Sequence, residues 1–288
     1  MTVNISRLYS KLKLFYTIFF AAPKEWKPPK KCEILIHDVQ DTEVLVQNLT
    51  QYSINTMAVR GESINVPCLL RAVLSLKFWK GKPFNAYIAA FIQNVSPKVV
   101  ITFIDNNTGF YWISKRFPDL KTIFVQNGTR VEQGDVFDLV NKSENYHVDH
   151  MLVFGAAIGE KYKSFITGST LAIGSIKNNA FKKTNDVLKK GLILFISQYR
   201  CKSKNNSPTH TDRNGEPLYH HQYYSTEVIA LRFLAKWCFE NKKSLKIAGM
   251  SSEKTGPEID FFEAILSGCT WEYMPRTGQN SSYKLVDA

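Results

Sequence analysis

The chain has 288 residues, which is enough for two domains of ordinary size, each with a hydrophobic core. Its composition, 44% hydrophobic, 13% aromatic and 22% charged, excludes globally disordered, collagen-like, coiled-coil and low-complexity proteins. Lys and Arg number 37 against 25 for Asp and Glu, so the formal net charge is +12. This charge predicts an anionic partner, and nucleic acid, an acidic membrane surface, a sugar nucleotide and an anionic polysaccharide all fit it.

Residues 1–30 begin like a signal peptide, but Phe20 stands where a cleavage site needs a small residue. At helical spacing, apolar residues share one face and basic residues lie mostly off it. The apolar residues are Ile5, Leu8, Leu12, Phe15 and Phe19, and the basic ones are Arg7, Lys11 and Lys13. We expect a basic amphipathic helix that ends at Pro23. Two interpretations stay open: residues 4–22 lie on an anionic membrane surface, or they pack on their own domain.

Residues 31–178 alternate short apolar runs with helical patterns, which is typical of βαβ units with a parallel sheet. The predicted strands are Glu33–Asp38, Asn55–Arg60, Lys98–Asp105, Lys121–Asn127, His150–Phe154 and Ser169–Ile173. The predicted helices are Thr42–Tyr52, Pro67–Trp79, Asn85–Asn94 and Gly109–Phe117. The expected fold class is α/β, and this segment is its N-terminal Rossmann-like domain.

A polar stretch at residues 179–190 is the predicted linker to a second Rossmann-like domain at residues 191–288. The second domain is predicted to contain strands Gly191–Ser197, Ser244–Ala248 and Trp271–Met274, helices Thr226–Asn241 and Glu258–Leu266, and a further helix from Ser281. A polar loop at 198–225 follows its first strand. Three strands are few for a doubly wound sheet, so we expect that this domain is incomplete and that the chain is truncated at its C-terminus.

The five cysteines are odd in number, widely spaced and without a CxxC pair, so neither a disulfide framework nor a zinc knuckle is expected. A reducing cytosol is the simplest compartment for such a chain. The histidines lack partners at metal-ligand spacing, and the GxGxxG, Walker, GxSxG and HExxH motifs are missing from the sequence. We therefore expect no cofactor and no metal site.

In parallel α/β sheets, ligands bind in the crevice outside the carboxyl ends of the strands. In the first domain this rule selects His37, Asp38, Arg60, Glu62, Asp105, Gln126, Asn127, Gly128 and Arg130. A carboxylate such as Asp105 can act as a general base or nucleophile in a cleft, and it is equally suited to cap the following helix. The amides and glycine of residues 126–128 suit sugar hydroxyls or phosphate, and they equally suit an ordinary turn.

In the second domain the same rule selects Ser197, Gln198, Tyr199, Arg200, Gly249, Ser281 and Ser282. Basic residues gather in the loop after the first strand, namely Arg200, Lys202, Lys204 and Arg213. Gly249 and the pair Ser281–Ser282 are expected to present backbone N–H groups and hydroxyls to a diphosphate. The sequence therefore predicts an anion site in this domain.

Several motifs together resemble those of bacterial surface carbohydrate (O-antigen) biosynthesis proteins. The most specific are FVQNG at residues 124–128, FGAAIGEKY at 154–162, ISQYR at 196–200 and SSYKL at 281–285. These proteins are similar in turn to CDP-glycerol glycerophosphotransferases and capsule Kdo transferases, which have the GT-B glycosyltransferase fold. The resemblance, over about residues 30–288, implies acceptor contacts mainly from the first domain and nucleotide-sugar contacts mainly from the second.

The resemblance also implies roles for the selected residues. The acceptor-binding set is Arg60, Glu62, Gln126, Asn127, Gly128 and Arg130, and the donor-binding set is Ser197, Gln198, Tyr199, Arg200, Gly249, Ser281 and Ser282. The glycerophosphotransferases carry a His-Gly motif with the catalytic base where this chain has residues 126–128. Because no His stands here, Asp105 or Asp38 is the candidate base. The resemblance implies a further region after the SSYKL helix that holds the nucleotide, and we expect that the C-terminal truncation removes it.

The function expected from these observations is a glycosyltransferase of surface polysaccharide or O-antigen biosynthesis. It would transfer a sugar from a CMP- or CDP-type nucleotide donor to a glycan or lipid-linked acceptor, in the cytoplasm or on the cytoplasmic face of the inner membrane. One alternative is a non-catalytic remnant or scaffold subunit of a surface-carbohydrate assembly system. The other is a basic nucleic-acid-binding protein, which is disfavoured because the lysines are spread along the chain and no single motif combines them with aromatics.

Overall fold

The computed structural model describes residues 22–80, 83–130, 135–139, 144–180, 191–200, 207–208, 210–212 and 214–278. The chain divides into two compact units, residues 1–180 and 181–288, and each is described by itself. The predicted amphipathic helix at 4–22, apart from Ala22, lies outside the described residues. So do Ser281 and Ser282 and three cations of the predicted anion site, Lys202, Lys204 and Arg213.

The first unit is built on parallel β-strands, as predicted. Its strands are β1 (Lys24–Glu25), β2 (Ile34–His37), β3 (Ile54–Met57), β4 (Ile64–Asn65), β5 (Val99–Thr102), β6 (Lys121–Val125), β7 (Tyr146–Val153) and β8 (Ile166–Ala172). Six of them form one parallel sheet in the order β3-β2-β5-β6-β7-β8, and β1 pairs with β4 in a separate parallel ladder. The predicted α/β fold class is confirmed.

Helices cover both faces of this sheet. They are α1 (Glu43–Gln47), α2 (Val66–Val73), α3 (Leu76–Lys80), α4 (Pro83–Val95), α5 (Ile113–Arg116), α6 (Val136–Leu139), α7 (Ala156–Lys163) and α8 (Ile176–Ala180), with a 3-10 helix at Phe110–Trp112. On one face Leu45 and the partly buried Ile176 pack against strand residues such as Ile36. On the other face α2 and α4 contribute Cys68 and Phe91 to a larger core. The strands are apolar runs because they are buried on both sides.

The chain reverses direction within the sheet between β2 and β5. After β2 it moves outward to β3, then returns past β2 to β5 and continues to β8. The crossovers on the two sides of this point lie on opposite faces, so a crevice opens at the carboxyl ends of β2 and β5. This topology places the residues after His37 and Thr102 at the preferred ligand position of the fold.

Several predicted elements differ from the structure in length. The predicted helix at 109–117 is the 3-10 helix followed by the single turn of α5, and the predicted helix 42–52 is reduced to α1. Residue 177, at the start of the polar stretch before the linker, belongs to α8, where Lys177 pairs with Asp41 at 3.0 Å. The ladder of β1 with β4 was missed, because two-residue strands carry no periodic pattern.

The described elements of the second unit are β9 (Leu192–Ile196), β10 (His210–Thr211), β11 (Pro217–Leu218), α9 (His220–Tyr223), α10 (Ser225–Glu240), β12 (Ser244–Ala248), α11 (Pro257–Ile265) and β13 (Trp271–Met274). Among these residues, a three-stranded parallel sheet has the order β13-β12-β9. The predicted loop 198–225 therefore includes an antiparallel pair, β10 with β11, and the short helix α9. Leu231, Ile247 and Phe262 centre its core.

Candidate functional site

The carboxyl ends of β2 and β5 are joined by side-chain hydrogen bonds. The Thr102 hydroxyl donates to the His37 carbonyl at 2.8 Å and accepts from the Ile104 N–H at 3.1 Å. Both Thr102 and the residue that follows His37, Asp38, are fully buried. The backbone at the switch point of the sheet is therefore held by hydrogen bonds between buried polar groups.

Asp38 occupies a strained backbone conformation at this point. Its φ is +82°, which non-glycine residues rarely adopt. One carboxylate oxygen accepts from Arg60 Nε at 2.8 Å, and the other accepts from the Gln40 N–H at 3.1 Å. The Arg60 side chain is 46% exposed, whereas Asp38 is buried, so the pair reaches from the crevice floor to solvent. Glu62 accepts from the Arg60 N–H at 2.9 Å, which fixes the loop that carries the guanidinium.

His37 lies beneath this pair with its ring buried against Phe110, 5.4 Å between ring centroids. Neither ring nitrogen has a hydrogen-bond partner among the described residues. Burial lowers the pKa of His37 from 6.5 to about 4, because a charged imidazolium is poorly solvated there. The ring is therefore neutral at physiological pH.

We expect the first unit to lose stability as pH falls from 6.5 towards 4. In this window the unfolded chain protonates His37 and the folded chain does not, so protons favour unfolding. The full effect is about 3 kcal/mol of unfolding free energy. Urea melts at several pH values measure it, and the variant His37→Leu serves as the comparison. The loss should shrink in the variant, and an equally steep loss in both proteins would contradict the assignment.

Asp105 is the centre of the second polar cluster, beyond the end of β5. Its buried carboxylate forms a two-pronged ion pair with Arg130, with 2.7 Å from Arg130 Nε to one oxygen and a contact of Nη2 with the other. It also accepts from the Asn127 N–H at 3.2 Å and from the Tyr162 hydroxyl. The Tyr111 hydroxyl donates to the Asp105 carbonyl. These contacts bring Asp105, Asn127 and Arg130 together, as the carboxyl-end rule predicts.

The neighbouring carboxylates fix the position of the Arg130 side chain and keep its guanidinium charged. Its side chain is only 8% exposed and also lies 3.6 Å from Asp135, measured from Nη1 to Oδ2. Burial alone would lower the pKa of Arg130, but the hydrogen bond and charge of Asp105 outweigh it and raise the pKa. Burial and the same carboxylate raise the pKa of Tyr162, so its hydroxyl stays protonated and donates. The predicted role of Asp105 as general base stays a prediction, and the occupied carboxylate argues for a positioning role instead.

Gln126 connects the loops that follow β6 and β7. Its side-chain amide donates to the Gly128 carbonyl at 2.9 Å, and its side-chain oxygen accepts from the Phe154 N–H at 2.8 Å. A cavity of about 350 Å³ lies beside it, lined by Gln126, Thr129, Arg130, Phe154, Gly155, Ala157 and Ile158. The motifs FVQNG and FGAAIGEKY thus meet at one place, which a sequence pattern alone does not show.

Glu258 organises the carboxyl ends of the second sheet. This buried carboxylate accepts from the Ser197 hydroxyl at 2.6 Å, the Ser251 N–H at 2.7 Å and the Tyr273 hydroxyl at 2.8 Å. It also accepts from the Met250 N–H at 2.9 Å. One side chain in the first turn of α11 therefore ties together the ends of β9, β12 and β13. Sequence reasoning missed Glu258 because its partners are distant along the chain.

Three of the predicted donor-binding residues have structural roles that were not predicted, and the first is Ser197, whose buried hydroxyl donates to Glu258. The Gly249 N–H donates to the Met274 carbonyl at 2.8 Å, so it is not available to a diphosphate as predicted. A Cβ at Gly249 would lie 1.9 Å from the Tyr273 hydroxyl, which explains the glycine. Tyr199 is buried, with its ring 5.0 Å from that of Phe261.

Cationic side chains follow each of the three strands of this sheet. Arg200 comes after β9, Lys254 after β12 and Arg276 after β13, and all three are exposed. The backbone of Arg200 is fixed by the Tyr224 hydroxyl at 2.6 Å, and the Arg276 N–H donates to the Ser251 carbonyl at 2.8 Å. Lys254 and Arg276 were missed, although their position after predicted strands could have identified them. Gln198, also predicted, is exposed two positions before Arg200 in the chain.

Comparison with known proteins identifies the family. A family model described as "putative O-antigen biosynthesis protein" matches residues 123–288, from within β6 through the second unit. No curated protein matches the chain. In the part of the chain that the structure describes, no helix is long and apolar enough to cross a membrane. Since the match covers more than half of the sequence, the chain belongs to this O-antigen biosynthesis family.

Proposed function

We propose that the chain is a glycosyltransferase of O-antigen biosynthesis, which moves a sugar from a CMP- or CDP-type donor to a glycan or lipid-linked acceptor. Family membership supports the pathway. The observation that carries the transferase proposal is that each unit fixes a charged cluster at the carboxyl ends of a parallel sheet. Asp105–Arg130 forms one cluster, and Glu258 with its partners forms the other. Two such clusters suit one acceptor site and one donor site.

On the donor side, the phosphate would be bound by side chains. The backbone N–H groups of Gly249, Met250 and Ser251 are already engaged in the scaffold. Arg200, Lys254 and Arg276 remain as exposed cations on backbone positions that follow the strands. During transfer, the bond between the sugar carbon and the phosphate oxygen breaks, and these cations stabilise the charge that stays on the nucleotide.

On the acceptor side, we assign the base to Asp38. Its carboxylate accepts only the Arg60 and Gln40 donors among the described contacts, while that of Asp105 accepts four. The Arg60 guanidinium reaches solvent above the buried carboxylate, so an acceptor hydroxyl would reach Asp38 by displacing part of this ion pair. Asp38 would take the hydroxyl proton as the oxygen bonds to the sugar carbon. Asp105 acts as a positioning residue that holds Arg130 beside the 350 Å³ cavity.

Calorimetric titration with CMP, CDP and UDP tests the donor side. We expect the full chain to bind a cytidine nucleotide. The double variant Arg200→Gln/Arg276→Gln should lose about tenfold or more in affinity, since each substitution removes a positive charge that would contact the phosphate. Lys163→Gln, on the first unit, is the control and should bind like the unmodified chain. Failure of all three nucleotides to bind would favour the scaffold alternative, and unchanged affinity in the double variant would move the phosphate site elsewhere.

A further inference from the structure

Helices α2 and α3 carry a cluster of exposed apolar side chains on the first unit. The exposed fractions are 60% for Leu70, 87% for Leu74, 74% for Leu76 and 71% for Trp79. Leu70 and Leu74 are four residues apart at the end of α2, while Cys68 and Ala72 on the same helix are buried. We call Leu70, Leu74, Leu76 and Trp79 the leucine–tryptophan surface. Large apolar residues grouped on a surface mark a binding site.

The geometry of this surface is fixed by one hydrogen bond. The Trp79 indole N–H donates to the Val73 carbonyl at 2.9 Å, which places the ring beside the last turn of α2. The Phe78 ring packs edge-on against Trp79, 5.3 Å between centroids, and Phe78 itself packs on the core. The exposed tryptophan is therefore held in position from beneath, as a preformed contact surface requires.

The charged residues within α2, within α3 and between them have one sign. From residue 63 to residue 104 the sequence has no Asp or Glu, and its charged residues are Arg71, Lys77, Lys80, Lys82 and Lys98. Four of these five lie within or next to α2 and α3. Leucine and tryptophan side chains combined with cations and without acids are the pattern of segments that lie at the surface of an anionic bilayer.

A second exposed apolar group in the chain lacks this charge pattern. Helix α10 exposes Ile229 by 69%, Phe233 by 64% and Phe239 by 82%. Its cations, Arg232 and Lys236, are matched in number by its acids, Glu227 and Glu240. The helix therefore has no net charge. It serves as a control for the effect of exposed apolar side chains without net positive charge.

We propose that the leucine–tryptophan surface docks the first unit on an anionic lipid bilayer. The leucines and the indole enter the boundary between headgroups and acyl chains, and the net positive charge of α2 and α3 attracts the anionic lipid headgroups. None of its four residues belongs to the segment 4–22 or to either polar cluster, so the inference does not depend on the proposed catalytic activity. The charge pattern favours lipid over a protein partner, because a bilayer offers negative charge along the whole surface.

Cosedimentation with phosphatidylcholine vesicles, with and without phosphatidylglycerol, tests the proposal on the full chain. We expect binding that requires phosphatidylglycerol and weakens in high salt. The variant Leu74→Glu/Leu76→Glu should lower the partition coefficient by about tenfold or more, because two charged side chains must then enter the interface. Both residues are mostly exposed, so folding should be unaffected, which circular dichroism verifies.

The matched control is Phe233→Glu/Phe239→Glu on α10, which should bind vesicles like the unmodified chain. A second variant, Arg7→Gln/Lys11→Gln/Lys13→Gln, separates the contribution of the N-terminal segment. Equal binding by the Leu74/Leu76 variant and the unmodified chain would overturn the proposal, as would the absence of vesicle binding. A change from dimer to monomer in that variant without vesicle binding would assign the surface to self-association instead.

Discussion

Replacing Asp105 with Asn should destabilise the first unit by about 3 to 5 kcal/mol, since the buried Arg130 guanidinium loses its hydrogen-bonded counter-charge and keeps only Asp135, 3.6 Å away. Arg130 is 8% exposed and depends on this carboxylate for two hydrogen bonds. The Asn127 N–H and the Tyr162 hydroxyl would also face a weaker acceptor. Hydrogen exchange of the β5 and β6 amides under increasing urea measures the loss in this unit alone.

The comparison variant is Glu160→Gln, which breaks the exposed ion pair between Glu160 and Lys163. Its effect should stay below about 0.5 kcal/mol, because exposed pairs contribute little. In the double variant Asp105→Asn/Arg130→Met, part of the lost stability should return, since the buried guanidinium that depended on Asp105 is removed together with it. Wild-type protection in Asp105→Asn would show that the cluster does not stabilise the fold.

Replacing Gly168 with Ala should destabilise the first unit by about 3 kcal/mol or more. Gly168 has φ +136°, and a Cβ there would lie 1.8 Å from the Val148 carbonyl oxygen. The register of β7 against β8 shifts between His147 and His150, so β7 has an extra residue opposite this glycine. The bulge brings the β7 backbone close to β8, and the clash is with backbone atoms that cannot rotate away.

Gly155→Ala is the matched control for Gly168→Ala. Gly155 has φ −162°, and a Cβ there would have no atom within 4 Å. Its unfolding free energy should change by less than about 0.5 kcal/mol. Comparing the urea midpoints of the two alanine variants isolates the bulge effect, and equal midpoints would contradict the assigned backbone conformation at Gly168.

The positions of the polar clusters were predictable because buried parallel strands are recognisable as apolar runs. The end of such a run marks the carboxyl edge, and this rule alone located Asp38, Asp105 and Asn127. The strained φ of Asp38 was not predictable, because nothing in the residue type requires it. The direction in which the chain reverses, which makes the end of β2 part of a crevice, follows from strand order and not from any local pattern.

The partners within each cluster were not predictable, because they are distant in sequence. Tyr162 is 57 residues from Asp105, and Glu258 is 61 residues from Ser197. Glu258 is preceded by Pro257 in the first turn of α11, where an acidic residue is ordinary, so no local signal sets it apart. The sequence analysis assigned Gly249 to ligand binding because the residue that requires a glycine there, Tyr273, is also distant in sequence. The close approach of Tyr273 to Gly249 is visible only in the folded sheet.

The most direct test of the transferase proposal is nucleotide release from CMP- and CDP-linked sugars, with a lipid extract of the source organism as acceptor. We predict release that depends on the acceptor and is lost in Asp38→Asn, while nucleotide affinity and the melting temperature of that variant stay close to those of the unmodified chain. Arg60→Lys, which keeps the charge beside Asp38, should retain part of the rate. Full turnover in Asp38→Asn, or no release from any donor, would contradict the proposal.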